Sequence, residues 1–206
     1  KKLKKNDEVK LGIYIAHKSS KGWSKPEPFF LNSNEYSVGH PSLSEDGNTL
    51  YFISDMPGGF GGTDIYRIVK KNGKWSEPIN LGEKVNTLGN EMFPFIHRNF
   101  DLYFASNGHG GLGGLDIFKT KVAETVINDA QNLGYPVNTS KDDFGLVLDP
   151  MGVSGYFSSN RAEGGQNDNI YSLHVRNDQL NQFDLFVVNG NVQQYPSIYE
   201  QVNPTP

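Results

Sequence analysis

The chain contains no cysteine, which excludes disulfide bonds and thiolate metal sites. No apolar run approaches the roughly 20 residues that a membrane-spanning helix needs. Histidine is scarce, with five residues in 206, and the His-Glu-x-x-His motif of zinc enzymes does not occur. The sequence therefore predicts no membrane span, no bound metal and no cofactor.

The chain also lacks a strong charge of either sign. Its 19 basic and 23 acidic residues give a net charge of −4, whereas a nucleic-acid-binding surface is typically rich in lysine and arginine. The lysines are nevertheless concentrated at the start, where residues 1–10 contain five of them. We expect these ten residues to form a solvated basic segment, and we expect no nucleic-acid partner.

Glycine and proline are abundant, at 23 and 11 residues, and this composition favours many short strands separated by turns. The sequence also repeats itself with a period of 52 or 53 residues. The motifs that recur are Trp23-Ser24-Lys25-Pro26 as Trp75-Ser76-Glu77-Pro78; Tyr51-Phe52-Ile53-Ser54 as Tyr103-Phe104-Ala105-Ser106 and Tyr156-Phe157-Ser158-Ser159; Asp64-Ile65-Tyr66 as Asp116-Ile117-Phe118 and Asn169-Ile170-Tyr171; and Val85-Asn86-Thr87 as Val137-Asn138-Thr139. Several motifs that keep one period indicate a repeat architecture.

Each period predicts four strands, a to d, which in the first complete copy cover residues 41–44, 50–54, 64–69 and 75–81. Strand b is almost continuously apolar, so we expect it to be buried on both faces. Strand d contains Pro78 and is therefore expected at the edge of its sheet. Four antiparallel strands per repeat are typical of a β-propeller blade.

The predicted fold class is thus all-β, a propeller of four-stranded antiparallel blades, with about three and a half blades in this chain. Strands a and b occur three times and strand c four times, because Ile13-Tyr14 repeats the strand c motif 52 residues before Ile65-Tyr66. Half a blade therefore precedes three complete ones. We predict that the blades occupy residues 11–176 and that residues 177–206 hold a final strand, or the start of a following domain, and a linker. Closed propellers typically have four to eight blades, so these blades are expected to belong to a larger ring.

Three stretches resemble a known family. The runs 40–52, 61–66 and 80–87 resemble the TolB-like, WD-type (PD40-like) repeats of envelope proteins of the OmpA family in Bacteroidetes, and the likeness covers about residues 11–174. The third copy departs from the pattern with Asn169 for aspartate and with Phe144-Gly145 for His-Pro or Phe-Pro.

The resemblance implies a non-catalytic scaffold that binds protein partners in the cell envelope. It implies a location in the periplasm or at the outer membrane, in connection with secretion or gliding machinery. Association with peptidoglycan would come through domains absent from this chain.

The repeated loops offer two candidate sites. The glycine-rich loops 58–62 and 108–114 suggest a phosphate cradle, but the lysine of the phosphate-loop motif is missing, so we interpret both as turns. Asp64 and Asp116 could be calcium ligands, yet no series of neighbouring acidic residues surrounds either one. We predict instead that they accept backbone N–H bonds within their loops. The run Asn167-Asp168-Asn169 is a further weak metal candidate.

No motif identifies a catalytic residue, and the Gly-x-Ser-x-Gly elbow of serine hydrolases is absent. Carboxylates from different blades could still meet as an acid–base pair, and the candidates are Glu91, Asp142, Asp143 and Glu163. Trp23 and Trp75 could form a glycan or peptide platform, although their repeat phase favours the core or a blade edge. We predict a non-enzymatic module whose binding residues the sequence does not name; the alternatives are a propeller glycoside hydrolase or lyase and a glycan- or peptidoglycan-fragment-binding module.

Overall fold

The computed structural model describes residues 9–98, 100–123, 126–162, 167–177 and 182–187, and within these ranges the secondary structure consists of short strands. The strands are β1 (Tyr14–Ile15), β2 (Lys18–Ser19), β3 (Gly22–Trp23), β4 (Glu27–Pro28), β5 (Val38–Leu43), β6 (Thr49–Ser54), β7 (Asp64–Lys71), β8 (Lys74–Trp75), β9 (Ile79–Asn80), β10 (Glu91–Ile96), β11 (Asp101–Ser106), β12 (Asp116–Lys121), β13 (Gln131–Asn132), β14 (Asp143–Leu148), β15 (Ser154–Ser159), β16 (Asn169–Asn177) and β17 (Gln182–Val187). The part of the chain that is described contains no helix long and apolar enough to cross a membrane.

These strands form three antiparallel sheets in the order expected for propeller blades. Blade 1 is β5-β6-β7 with β8 and β9 both paired to β7; blade 2 is β10-β11-β12-β13; blade 3 is β14-β15-β16-β17. A half-blade of two strand pairs, β1 with β4 and β2 with β3, precedes them. Neighbouring blades touch through their first strands, β5 with β10 and β10 with β14. The all-β fold and the count of about three and a half blades are confirmed.

The register confirms that the repeat is structural. Tyr51, Tyr103 and Tyr156 each lie in the second strand of a blade and have equivalent partners on both sides. The third strands are equally matched, since Asp64, Asp116 and Asn169 each pair with the last serine of the strand before them.

The first strand of each blade carries the same irregularity. The pairing with the second strand shifts between Gly39 and Ser42 in blade 1 and at the equivalent points of blades 2 and 3. Each bulge holds one residue in the left-handed backbone region: His40, Phe93 and Gly145, with φ of 45°, 52° and 69°. Pro41 lies inside the bulge, where its missing N–H breaks no ladder bond. Strand a therefore begins at Val38 and not at residue 41 as predicted.

The outer strands differ most from the sequence-based prediction. Strand d of blade 1 is not continuous over residues 75–81, because Pro78 divides it into β8 and β9. Its predicted place at the sheet edge is confirmed. In blade 3, β17 pairs with β16, so residues 183–187 complete that sheet, while residues 188–192 lie outside the described part of the chain.

Apolar side chains fill the spaces between blades. Tyr51, Ile53 and Ile65 on one face of blade 1 pack against Leu102 and Phe104 of blade 2, and the same arrangement recurs between blades 2 and 3. The second strands β6 and β11 are buried on both faces, as predicted.

The outer face of blade 3, formed by Val147, Tyr156 and Ile170, has no blade against it within the described residues. Tyr156 and Ile170 are each 53% exposed, whereas Tyr103 and Ile117, which hold the same positions in blade 2, are 6% and 1% exposed.

Candidate functional site

The loops that join strands b to c and strands d to the next a all emerge at one end of the blades. We call this end the loop face and define it by residues 55–63, 81–90, 107–115 and 133–142. Loop 81–90 lies between its neighbours: the Gly89 carbonyl accepts the Gly62 N–H at 2.7 Å, and the Asn90 N–H donates to Asn107 Oδ1 at 2.8 Å. The loop face is therefore a continuous surface across blades 1 and 2.

Asp64 holds its glycine-rich loop in place. Its buried carboxylate accepts the N–H groups of Phe60 at 2.6 Å and Gly61 at 3.3 Å, and it also accepts Asn80 Nδ2–H at 2.8 Å. These backbone N–H groups are the ones that would have to face a phosphate in a cradle. Because the loop's own aspartate occupies them, the geometry supports the turn interpretation.

Asp116 repeats this arrangement in blade 2. It accepts the N–H groups of Leu112 at 2.7 Å and Gly113 at 3.1 Å, both at Oδ2. Burial raises the pKa of Asp116 above its ordinary value, and the nearby carboxylates Asp143 and Asp142 add to the rise, while the two N–H bonds oppose it. Within the described residues no group of three or more histidine or acidic side chains is arranged to hold a metal ion, and the expectation that neither aspartate binds calcium stays a prediction.

Two buried asparagines connect the loop face to the third strands. Asn86 accepts the Ile65 N–H at 2.8 Å and donates to the Ile65 carbonyl at 3.0 Å, so its side chain mimics a strand partner. Asn138 makes the same pair of bonds with Ile117, both at 2.8 Å. Sequence reasoning used the Val-Asn-Thr motif only as a marker of the repeat. A polar residue that recurs beside a buried valine was the signal of this structural role.

Glu91 and Asp143, two of the four carboxylates considered as an acid–base pair, occupy equivalent positions at the start of first strands. Both are completely buried. Glu91 accepts the N–H and hydroxyl of Thr87, at 2.9 and 2.7 Å, and the hydroxyl of Ser106 at 2.7 Å. Asp143 accepts the N–H and hydroxyl of Thr139 and forms an ion pair of 2.6 Å with Arg161. In this arrangement both carboxylates tie loops to strands and neither is open to a substrate.

The other two candidates are placed differently. Asp142 lies on the loop face, where it accepts the Leu115 N–H at 2.8 Å and Asn160 Nδ2–H at 3.1 Å. Glu163 lies outside the described residues. Of the three candidates that the structure describes, Glu91 and Asp143 are buried in contacts between loops and strands and Asp142 lies on the loop face, so these three do not form a pair open to a substrate.

Arg161 is the residue that sequence reasoning missed entirely. Besides its ion pair, it donates to the carbonyls of Pro136 and Val137, and its guanidinium stacks 4.8 Å from the ring centre of Tyr171. In blade 2 the corresponding space is filled by His109, whose Nε2 lies 2.8 Å from the Val85 carbonyl. An arginine in blade 3 and a histidine in blade 2 thus contact equivalent carbonyls. Because the two residue types differ, the sequence repeat alone could not reveal the role of Arg161.

Glycines allow neighbouring loops to touch. A Cβ on Gly61 would collide with the carbonyl of Thr87, and a Cβ on Gly113 would collide with the carbonyl of Lys141. These glycines are required because of contact with the next blade, in addition to the turns themselves.

Exposed apolar side chains lie at the tips of the loops that form the loop face. Leu88 is 90% exposed, and Phe60 and Leu112 are about half exposed. The tryptophans lie elsewhere. Trp75 packs at the blade 1 edge near Phe29, whereas Trp23 is exposed in β3, so of the two expected positions, core or blade edge, Trp23 does not occupy the core. Trp23 lies in a two-residue strand of the half-blade, and no other sheet among the described residues covers it.

No protein-family model matches this sequence, and no curated protein matches it either. Solved structures do match. TolB from Acinetobacter baumannii superposes with a TM-score of 0.55 at 15% identity, over 85% of this chain and 37% of that protein. A TolB from Agrobacterium tumefaciens gives 0.53 at 14% identity, over 84% and 59%.

A puromycin-hydrolysing peptidase from Mycobacterium tuberculosis gives a TM-score of 0.52 at 14% identity, over 89% of this chain and 30% of that protein. The chain spans less than two thirds of the length of each of these three proteins. Identities this low establish the fold and not the chemistry. The described residues therefore have a TolB-like β-propeller fold.

Proposed function

We propose that this chain is a non-catalytic propeller module that binds a protein partner in the bacterial cell envelope through its loop face. The observation that carries the proposal is the exposure of Phe60, Leu88 and Leu112 on loops whose backbones are held by buried carboxylates. Preorganised apolar side chains lower the entropy lost on association, which favours a binding surface.

The carboxylates that directly follow the loops of the loop face support a structural role. Asp64, Asp116, Glu91 and Asp143 are all buried and accept hydrogen bonds from loop N–H groups, although Asp116 Oδ1 has no hydrogen-bond partner among the described residues. A general acid or base needs access to the proton that it transfers. A module without turnover fits these placements better than the glycoside hydrolase or lyase alternative.

The likeness to TolB and the repeat motifs support the proposed cellular setting. We place the module in the periplasm, associated with the outer membrane, as part of an OmpA-family protein of Bacteroidetes linked to secretion or gliding. Peptidoglycan association would belong to other domains of such a protein.

A crosslinking pull-down from envelope fractions tests the binding face. The variant Phe60→Ser/Leu88→Ser/Leu112→Ser should lose the partner, because its apolar contact area is removed while the loop backbones keep their hydrogen bonds. The control Leu43→Ser/Met151→Ser removes two exposed apolar side chains at the other end of the blades and should retain it.

An activity screen of the same proteins on glycans and peptides tests the absence of catalysis. Turnover that disappears when one carboxylate of the loop face is replaced would overturn the scaffold. Equal recovery of the partner by the triple variant and the wild type would show that another surface binds it.

A further inference from the structure

Asparagine is followed directly by glycine at Asn72-Gly73 and Asn107-Gly108 within the described residues, and at Asn189-Gly190 outside them. An asparagine side chain loses ammonia when the main-chain nitrogen of the next residue attacks its amide carbon. A following glycine leaves that nitrogen accessible, because glycine has no Cβ. The dipeptide is the same at residues 72 and 107, so a difference in reactivity between them must come from the fold.

Asn72 and Gly73 form the two-residue turn that joins β7 to β8. Lys71 and Lys74 pair across this turn, and φ is 51° at Asn72 and 77° at Gly73. Two positive φ angles in a two-residue loop are typical of a type I′ turn. Closure of a ring on Asn72 needs rotation of the peptide plane between the two residues. That rotation converts the turn to type II′, the other common hairpin turn, in which the first residue keeps its positive φ. Asn72 therefore reaches the reactive geometry without loss of the hairpin.

The surroundings of Asn72 leave both reacting groups accessible. Asn72 and Gly73 are exposed, and within the part of the chain that the structure describes neither the Asn72 side chain nor the Gly73 N–H forms a hydrogen bond. The attacking group is the deprotonated Gly73 nitrogen, which is negatively charged. The neighbouring Lys71 and Lys74 favour this charged form, as an opposite charge does for any ionisable group.

Asn107 is exposed too, but hydrogen bonds hold both of its reacting groups. Its Oδ1 accepts the Asn90 N–H at 2.8 Å, and its own N–H donates to the Asn90 carbonyl at 3.3 Å. The Gly108 N–H donates to Ser106 Oγ at 3.0 Å. Attack by the Gly108 nitrogen would break the last of these bonds, and turning the side chain toward it would break the first. The fold therefore opposes the reaction at Asn107.

We propose that Asn72 is a site of spontaneous deamidation in the folded protein, and that the fold protects Asn107 from the same reaction. The Gly73 nitrogen gives its proton to hydroxide and bonds to Asn72 Cγ, and Nδ2 takes a proton from water and leaves as ammonia. Water then opens the cyclic imide. Cleavage of the new bond to Cγ gives aspartate, and cleavage of the bond to the main-chain carbonyl gives isoaspartate. Water and hydroxide are the only co-reactants.

The two products should affect the hairpin differently. Aspartate before glycine suits a type I′ turn, so the aspartyl form should keep the hairpin. Isoaspartate instead carries the main chain through its side chain and lengthens a turn whose register is fixed by two residues. The strand β8 has only two residues, Lys74 and Trp75, and the Trp75 ring centre lies 6.3 Å from that of Phe29. The isoaspartyl form should therefore weaken the packing of Trp75 at the edge of blade 1.

Incubation of the whole folded chain in mildly alkaline buffer, beside a sample unfolded in urea, tests the proposal. Chymotrypsin cleaves after aromatic residues and gives separate peptides for the two asparagines, ending at Trp75 and at Phe118. Mass spectrometry measures conversion of the amide to a carboxyl group, and an isoaspartyl methyltransferase with labelled S-adenosylmethionine measures isoaspartate.

In the folded chain the reaction at Asn72 should be about tenfold faster or more than at Asn107, because ring closure at Asn107 first breaks hydrogen bonds. In urea the two rates should agree within about twofold, since only the dipeptide then matters. Equal rates in the folded chain, or no reaction at Asn72 in the folded chain, would each overturn the proposal.

Melting temperatures test the effect on the hairpin. The variant Asn72→Asp reproduces the aspartyl product and should melt like wild type. The isoaspartyl form, separated by chromatography, has the same charge and should melt at a lower temperature. An isoaspartyl form as stable as Asn72→Asp would contradict the proposed weakening of β8. None of these measurements needs a partner, so their outcome is independent of the proposed function.

Discussion

The carboxylate of Asp64 joins the loop 55–63 to the outer strand of blade 1, because the same oxygen accepts the Phe60 N–H and the Asn80 Nδ2–H. Removing a buried acceptor of this kind lowers the free energy of unfolding mainly because its donors are left buried without a partner. The stability of the loop face therefore depends on single side chains that are buried beneath it.

Asp64→Ala should lower the free energy of unfolding by about 1–3 kcal/mol, because buried N–H donors lose their acceptor. Asp129→Ala is the control, since the Asp129 side chain is 85% exposed and forms a surface ion pair of 3.4 Å with Lys84. It should change stability by about 0.5 kcal/mol or less. Urea denaturation measures both, and a chelator that lowers the melting temperature of wild type but not of Asp64→Ala would instead reveal a calcium site.

His40 predicts a dependence of stability on pH. Its ring stacks 4.2 Å from Phe93 and its Nδ1 accepts the Phe93 N–H at 3.1 Å, and burial lowers its pKa. A histidine with a lowered pKa binds protons less readily in the folded state than in the unfolded state. Its stabilising effect is therefore present above about pH 6.5 and is lost as the pH falls through the pKa of the folded state.

Melting temperatures of wild type and His40→Asn between about pH 7.5 and about pH 5 test this expectation. Wild type should lose stability relative to the variant on acidification. His17→Asn, at an exposed histidine, should follow wild type across the range. Parallel curves for wild type and His40→Asn would contradict the assignment.

The sequence could predict an acceptor role for Asp64 and Asp116, because an aspartate that recurs beside glycine turns has few other partners. It could not predict that Glu91 and Asp143 are buried, since charged residues are usually exposed and their hydroxyl and arginine partners are distant in the chain. The role of Arg161 could not be predicted for the same reason, because its contacts with residues 136, 137 and 143 exist only after the blades have folded.

At the level of strands and loops, the second and third strands were predictable because unbroken apolar runs at a fixed period leave little choice. The first and last strands were not. The bulges in β5, β10 and β14 place residues of different types in one unusual conformation, and Pro78 breaks an outer strand that its tryptophan motif suggested was continuous. Edge strands and bulges depend on tertiary packing more than on pattern.

Gly61→Ala tests the contact between adjacent loops. The added methyl would meet the backbone of residues 87–89, and such overpacking should cost about 1–3 kcal/mol. Gly110→Ala is a matched control in the equivalent loop, where a Cβ would meet nothing within 4 Å. The control should be neutral or slightly stabilising, as judged by urea denaturation. Equal stability of the two variants would show that the loops separate in solution.

On the scale of the whole molecule, the three blades repeat the same pattern of apolar side chains, but those on the outer face of blade 3 are exposed whereas their counterparts in blade 2 are buried. Ile117→Ala should cost about 2–5 kcal/mol, because this side chain is buried between blades 2 and 3. Ile170→Ala, the same change at the same repeat position on the outer face of blade 3, should cost about 0.5 kcal/mol or less in the isolated chain.

The same pair of variants reports on the expected larger ring. If a further blade covers the outer face of blade 3 in a longer protein, Ile170→Ala should become as costly there as Ile117→Ala. A small effect of Ile170→Ala in both proteins would count against a blade at that position.

Each blade pairs its strands within one uninterrupted stretch of sequence, and blades meet mainly through side chains and loops. A tandem duplication or deletion of one 52-residue unit would therefore cut no strand from its partner. The change would alter only the number of blades arranged around the propeller axis. Such a gene can gain or lose a blade in a single recombination event, and each new copy brings a loop tip and a hairpin turn free to diverge, as Phe100 has diverged from Gly47 and Gly152 at the turn between the first two strands of each blade.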